Sequence, residues 1–254
     1  MPYHGADGGQ RGARSDKSGK AESAGQGAST TFQATSEPPW TVREAHNSPE
    51  DRPREVMEVE IKLRLPSKEA HDEVAKQLKD SFRETHQQEN FFFDGTNGEL
   101  SSQRVVLRCR FYNHDKRAIV TLKGGQVITD GVGRGSEVED DVDPVAAREF
   151  LKNPDKLLQV DLPFIKELQK KYNVSHLKSL GGFKNVRSDF DWEGFKLELD
   201  ETKFDWGTVY EIEVETPEPD QLKPKLELLL RSRDIPYKYN TTTKFANFIN
   251  RKLD

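Results

Sequence analysis

One run of this chain alternates charge and hydrocarbon without a fault. Glu58-Val59-Glu60-Ile61-Lys62-Leu63-Arg64-Leu65 puts a charge at every even position and an apolar side chain at every odd one. Successive side chains of an extended strand point to opposite faces, so the run reads as a strand with one charged and one apolar face. The same pattern sets Arg108 and Arg110 against Leu107, Cys109 and Phe111 over 105–112. It sets Lys196, Glu198 and Asp200 against Leu197 and Leu199 over 195–200, and Glu211, Glu213 and Glu215 against Ile212 and Val214 over 210–216. Residues 118–123 read as a further strand ending in a Gly-Gly turn, and Val138 and Val142 mark another, acidic one around Glu137, Glu139 and Asp141. Helices fill the spaces between. Ser67 can N-cap a segment in which Ala70, Val74, Leu78 and Phe82 recur at helical spacing, and 144–158, 163–172, 220–233 and 242–253 are the other helical segments. Strands outnumber helices and few connections resemble βαβ units, so the class is α+β, an antiparallel sheet or barrel rather than a doubly wound fold.

The apolar residues are unevenly distributed. Residues 1–56 hold no Leu and no Ile, but seven of the 18 Gly and five of the 13 Pro. Such a segment buries too little surface to offset its ordering entropy, and a disordered leader is expected there. It has no apolar core of a secretory signal and is too acidic for a transit peptide. Met57, the second of two methionines, opens the first strand, so the folded domain is expected over 57–254. A formal net charge of -5 speaks against a general nucleic-acid binder, and no stable nucleic-acid complex is expected. No run approaches the roughly 18 apolar residues of a membrane-spanning helix. The single cysteine, Cys109, excludes an internal disulfide and a cysteine-based zinc cluster, and it faces the apolar side of its strand. A reducing, cytoplasmic setting is the expectation. The six His show no metal-ligand spacing and read as surface or structural residues. Gly131-Val-Gly133-Arg-Gly135 lacks the following helix and GK[ST] of a phosphate loop and reads as a turn.

Alternating charge on any one strand is compatible with a solvated face. Here, however, three glutamates about 7 Å apart share one face of one strand, where their like charges repel. Other strands supply the complement: Glu58 and Glu60 add carboxylates, while Lys62, Arg108, Arg110 and Lys123 add cations. A sheet closed with these faces inward would have an acidic wall and a basic wall, with its apolar faces outward under helices. Carboxylates suit Mg²⁺ or Mn²⁺, whereas Arg and Lys suit phosphate. A ligand of adjacent phosphates with divalent ions matches both walls.

At this point the sequence resembles the CYTH superfamily, the triphosphate tunnel metalloenzymes. The likeness runs through Glu58-Val-Glu60-Ile-Lys62, Phe92-Phe93-Asp94, Leu107-Arg108-Cys-Arg110-Phe111 and Val120-Thr-Leu-Lys123. It continues through Leu180-Gly-Gly-Phe183, Asn185-Val-Arg187, Leu197-Glu-Leu-Asp-Glu-Thr-Lys203, Tyr210-Glu-Ile-Glu-Val-Glu215 and Thr243-Lys244-Phe245, in order across nearly all of 57–254. The nearest likeness is to the plant-type tripolyphosphatases. The resemblance implies a closed eight-stranded antiparallel barrel with helices packed outside. It implies Glu58, Glu60, Glu213 and Glu215 as metal ligands, with Glu211 nearby and Glu139, Glu198 and Asp200 on the acidic side or around the metal sites. It implies Lys62, Arg108, Arg110, Lys123 and Lys244 as phosphate grips, with Arg187 and Lys203 as further contacts. The implied chemistry is metal-assisted attack of water on a terminal phosphorus, with Glu58, Glu60, Lys62, Glu213 and Glu215 at its centre.

Three functions follow: hydrolysis of inorganic tripolyphosphate to pyrophosphate and phosphate; hydrolysis or cyclisation of an organic triphosphate (thiamine triphosphate, a nucleotide, an RNA 5′-triphosphate); and non-catalytic polyphosphate binding. The first is favoured, because a pure phosphate binder has little use for three aligned glutamates. A monomer without a membrane partner is expected, since a closed barrel exposes no edges.

Overall fold

The computed structural model describes residues 56–253. The leader expected over 1–56, Trp40 included, lies outside the described residues apart from Val56, which already belongs to the first strand. Eight long strands form a closed barrel: β1 (Val56–Leu65), β2 (Phe82–Gly95), β3 (Val106–Tyr112), β4 (Arg117–Thr129), β5 (Val132–Val142), β6 (Leu177–Trp192), β7 (Phe195–Phe204) and β8 (Gly207–Glu215). Their order is β5-β4-β3-β2-β6-β7-β8-β1, and antiparallel pairing of β1 with β5 closes the ring. A two-residue strand, β9 (Lys238–Tyr239), continues along the same edge of β1, opposite Leu63 and Arg64.

Period-two alternation now has a meaning. The odd residues of β1 face outward onto α1 (Lys68–Gln77) and α4 (Pro219–Arg231), burying Ile61, Leu63, Leu65, Val74, Leu222 and Leu226 with Leu197, Leu199, Ile212 and Val214. On the other side Leu107, Cys109, Phe111 and Val120 pack under α2 (Pro144–Lys152) and α3 (Pro163–Tyr172), against Phe150, Ile165 and Leu168. Cys109 is a core residue there, and burial pushes its thiol up to about 12. The inward faces hold the charges. One stretch of the inner face is aromatic instead: Phe92, Phe183, Phe204 and Val209 meet Phe245 and Phe248 of α5 (Lys244–Asn250).

Several local expectations are corrected. Ser67 caps α1 by accepting from the Ala70 amide, and Ala70, Val74 and Leu78 are buried, but Phe82 is 48% exposed and starts β2. The helix expected over 144–158 stops at Lys152. Pro154, which has no amide hydrogen, separates it from a 3-10 turn over Pro154–Gln159. The helix expected over 242–253 covers only Lys244–Asn250, because Arg251 turns left-handed. β4 runs through Gly124-Gly125 to Thr129 with an irregularity instead of ending there, and Gly133 and Gly135 lie within β5, the turn being confined to Asp130 and Gly131. The strands β2 and β6 were not expected as such. Their inner faces mix Gln88, Asn90, Phe92, Phe183, Asn185 and Arg187, so the charge alternation that marks the other strands is missing.

Candidate active site

Strand pairing stacks the inward charges in rungs. Across β1 and β8 the partners are Glu60 with Glu215, Lys62 with Glu213, and Arg64 with Glu211. Across β7 and β8 they are Glu198 with Glu213 and Asp200 with Glu211; across β6 and β7, Arg187 with Asp200. Directly opposed residues share a face of the sheet, so these side chains converge in the lumen.

In the middle of the lumen, anions and cations match. Lys62 Nζ lies 2.6 Å from Glu213 Oε1 and 2.8 Å from Glu60 Oε2. Lys244, reaching in from α5, lies 2.6 Å from Glu213, 2.8 Å from Asp200 and 2.9 Å from Glu211. Arg187 donates to Asp200 and, at 2.6 Å, to Glu213, and also pairs with Glu198. Burial would push the Glu213 and Asp200 carboxyls up, but Lys244, Lys62 and Arg187 hold Glu213 well below the carboxylate range, and Arg187 and Lys244 do the same for Asp200. Arg64 reaches Glu211 at 3.1 Å and the Leu253 carbonyl at 2.9 Å.

Elsewhere in the lumen the charges do not match. Glu58 and Glu60 stand opposite Gly135 and Gly133, which carry no side chains to separate them from their neighbours. Burial, with Glu60 and Glu137 close by, pushes Glu58 up to about 8 despite Lys123 at 2.8 Å. Burial likewise raises Glu215, helped by the charges of Glu198, Glu137 and Glu60. The opposite imbalance lies on β3, four places round the ring from β8. Half-buried Arg110 hydrogen-bonds neutral groups, Asn90 Oδ1 at 2.8 Å and Tyr112 Oη at 3.1 Å. Arg108 beside it touches Thr121 at 2.9 Å and stands 3.5 Å from Glu137, with its buried Nε unpartnered. Burial and the Arg110 charge lower its pKa.

Of the residues expected at the site, the structure brings Glu58, Glu60, Lys62, Arg108, Arg110, Lys123, Arg187, Glu198, Asp200, Glu211, Glu213, Glu215 and Lys244 to the lumen face. Glu139 sits at its edge, accepting from Thr121 at 3.1 Å and half exposed. Lys203 is not brought there: it projects from the outer face of β7, exposed and paired with Glu201 at 2.8 Å. The alternation itself marks this, since Lys203 is odd-numbered where Glu198 and Asp200 are even. Sequence reasoning passed over Arg64, which lies in the opening run, and Glu137, which Lys123 contacts at 2.8 Å. Gln88, Asn90 and Asn185 were also missed, because neutral amides on unpatterned strands give no signal.

Among the described residues no three His, Cys, Asp or Glu side chains already form a metal cage. The donor set nevertheless suits a divalent ion. Glu58, Glu60 and Glu215 are hard oxygen donors, and burial together with neighbouring carboxylates raises Glu58 and Glu215.

A sequence profile of the CYTH domain matches residues 57–246. The chain belongs to the CYTH family. A solved structure of a candidate adenylyl cyclase from Hippeastrum, described as having a dominant triphosphatase activity, is 40% identical, with a TM-score of 0.75 over 78% of this chain and 97% of that one. A candidate adenylate cyclase from Bacillus halodurans shares the fold at 22% identity and a TM-score of 0.58, covering 76% of this CYTH protein and 98% of its own chain. A Pyrococcus horikoshii protein does so at 19% identity and 0.50, covering 76% and 99%. No curated protein sequence matches. No helix of the described residues is long and apolar enough to cross a membrane.

Proposed function

We propose that this CYTH protein hydrolyses inorganic tripolyphosphate to pyrophosphate and phosphate within its barrel, with Mg²⁺ or Mn²⁺ as cofactor. The supporting observation is the pair of opposite concentrations: part-buried guanidiniums at Arg110, which hydrogen-bonds only neutral groups, and Arg108, whose carboxylate pairs are long at 3.5 and 3.8 Å, facing the crowded carboxylates Glu58, Glu60 and Glu215. A polyphosphate with a divalent ion relieves both, whereas either partner alone relieves one.

Arg108 and Arg110 present guanidinium forks to phosphate oxygens, and Lys62, Lys123, Arg187 and Lys244 add charge along the chain. A divalent ion held by Glu58, Glu60, Glu213 and Glu215 would neutralise phosphate oxygens and activate the attacking water. The water oxygen bonds to the terminal phosphorus as the bridging P–O bond breaks, and a carboxylate of the Glu60–Glu215 pair takes the water's proton. Pyrophosphate departs with the bridging oxygen, and the arginines stabilise the charge it gains.

The test is phosphate release by the full chain from tripolyphosphate, with thiamine triphosphate alongside and ATP because relatives are described as cyclases. Each is run with Mg²⁺, Mn²⁺ or chelator. Metal-dependent release fastest on tripolyphosphate is expected. Faster release from an organic triphosphate reassigns the substrate, and binding without release from any of them leaves a polyphosphate binder.

A further inference from the structure

We infer that Asp200 is a positioning residue, the fixed anion around which Arg187 and Lys244 are assembled, and not a ligand of the divalent ion; this rests on reading the lumen as a metal-polyphosphate site. A carboxylate has about four lone-pair directions, and Asp200 meets three hydrogen bonds and one further close cation. Oδ1 accepts from Asn185 Nδ2 at 2.9 Å and Arg187 Nε at 2.8 Å; Oδ2 accepts from Arg187 Nη2 at 2.6 Å and forms an ion pair with Lys244 Nζ at 2.8 Å. The side chain is 0% exposed.

Arg187 and Lys244 are shared with Glu213, and one partner of Asp200 differs in kind, the Asn185 amide. Every contact of Glu213 comes from a cation, Lys62, Lys244 or Arg187, which a polyphosphate attracts. Arriving phosphates therefore free Glu213 to join Glu58, Glu60 and Glu215. Beside Lys244, Asp200 is held by a two-point guanidinium fork and by an amide that a polyphosphate has no charge to recruit. That amide is itself locked: Asn185 Oδ1 accepts from Thr202 Oγ1 at 2.7 Å, and its Nδ2 also donates to Gln88 Oε1 at 3.0 Å, all among buried side chains. Asp200 thus keeps the Arg187 fork and the Asn185 amide when phosphates draw Lys62 and Lys244 from Glu213. It aims Arg187, from β6, and Lys244, from α5, at one point of the lumen.

Asp200→Glu separates the two roles, because it keeps the charge and the metal-binding chemistry but moves the carboxylate by one methylene. Two titrations on the full chain read them without turnover: Mn²⁺ in the absence of phosphate, and tripolyphosphate in chelator. Asp200→Glu is expected to leave the Mn²⁺ affinity within about twofold and to weaken metal-free tripolyphosphate binding about tenfold, since displaced cations no longer match the phosphates. In Asn185→Ala the same two titrations should move in the same directions, which keeps the test available should Asp200→Glu fail to fold. Glu58→Gln serves as the metal-side reference and should weaken Mn²⁺ about tenfold or more. A Mn²⁺ affinity that falls about tenfold in Asp200→Glu, with metal-free tripolyphosphate binding intact, overturns the inference. Wild-type protein that binds both ligands but releases no phosphate refutes the hydrolase reading and leaves these two titrations decisive for Asp200.

Discussion

At Glu213 one carboxylate is surrounded by three cations. Glu213→Gln should lower phosphate release about 100-fold, as loss of one preorganised electrostatic contact does elsewhere, while the barrel still folds. Circular dichroism and the release assay on the same preparation check both halves. Glu58 gives a pH prediction whose sign follows from its proton count. Its carboxyl is raised from 4.5 to about 8, so between those values the folded state holds a proton that the unfolded chain has released. The metal-free protein therefore loses stability as pH rises through that window. Glu137 runs the other way: burial raises it, but Lys123 and Arg108 pull it down to about 2, so its contribution is present above 4.5 and lost as pH falls through 2. Melting in chelator should show a midpoint that declines from about pH 5 to 8, with the decline flattened in Glu58→Gln. A midpoint that rises over that range contradicts this reading of Glu58.

At the scale of elements, two glycines predict opposite severities. Gly182 pairs with Phe91 where β6 lies against β2, and a Cβ there would lie 1.8 Å from the Asn90 carbonyl oxygen. Because the obstacle is backbone, Gly182→Ala must part the two strands, and it should cost more than about 3 kcal/mol in denaturant unfolding. Gly194, at the β6–β7 turn, has φ of +82° with nothing within 4 Å of a new Cβ. Gly194→Ala should cost only the left-handed backbone penalty, about 1 kcal/mol. Equal costs would mean that the close β2–β6 approach is not held in solution.

Across the whole barrel, closure depends on β1, which pairs with β8 on one side and with β5 and β9 on the other. With both edges hydrogen-bonded, its central amides can open only when the barrel does. Hydrogen exchange from Ile61 to Leu63 should therefore report the global unfolding free energy, and denaturant should give one cooperative transition for residues 56–253. Exchange of these amides well ahead of global unfolding would show that the β1–β5 seam opens by itself.

How much of this was legible depends on what a two-residue period encodes. Alternation in β1, β3, β7 and β8 determined which side chains share a face, so the charged set from Glu58 to Glu215 and the core role of Cys109 could be read directly. The ordered motifs carried the likeness to the tunnel enzymes. The same alternation, applied consistently, also excludes Lys203. What sequence could not supply was partnership. β2 and β6 line the lumen with amides and aromatics, which alternate with nothing distinctive, and β4 continues through a Gly-Gly pair that resembles a turn. Only closure of the ring sets Arg108 and Arg110 four strands from the glutamates of β8, brings Lys244 in from a helix near the C-terminus, and gives Asp200 three hydrogen bonds and a further close cation while burial raises Glu58. Facing is a local property of the strand, fixed by backbone geometry within a few residues. Charge balance is a sum over residues far apart in the chain, and the tertiary structure alone decides which terms enter it.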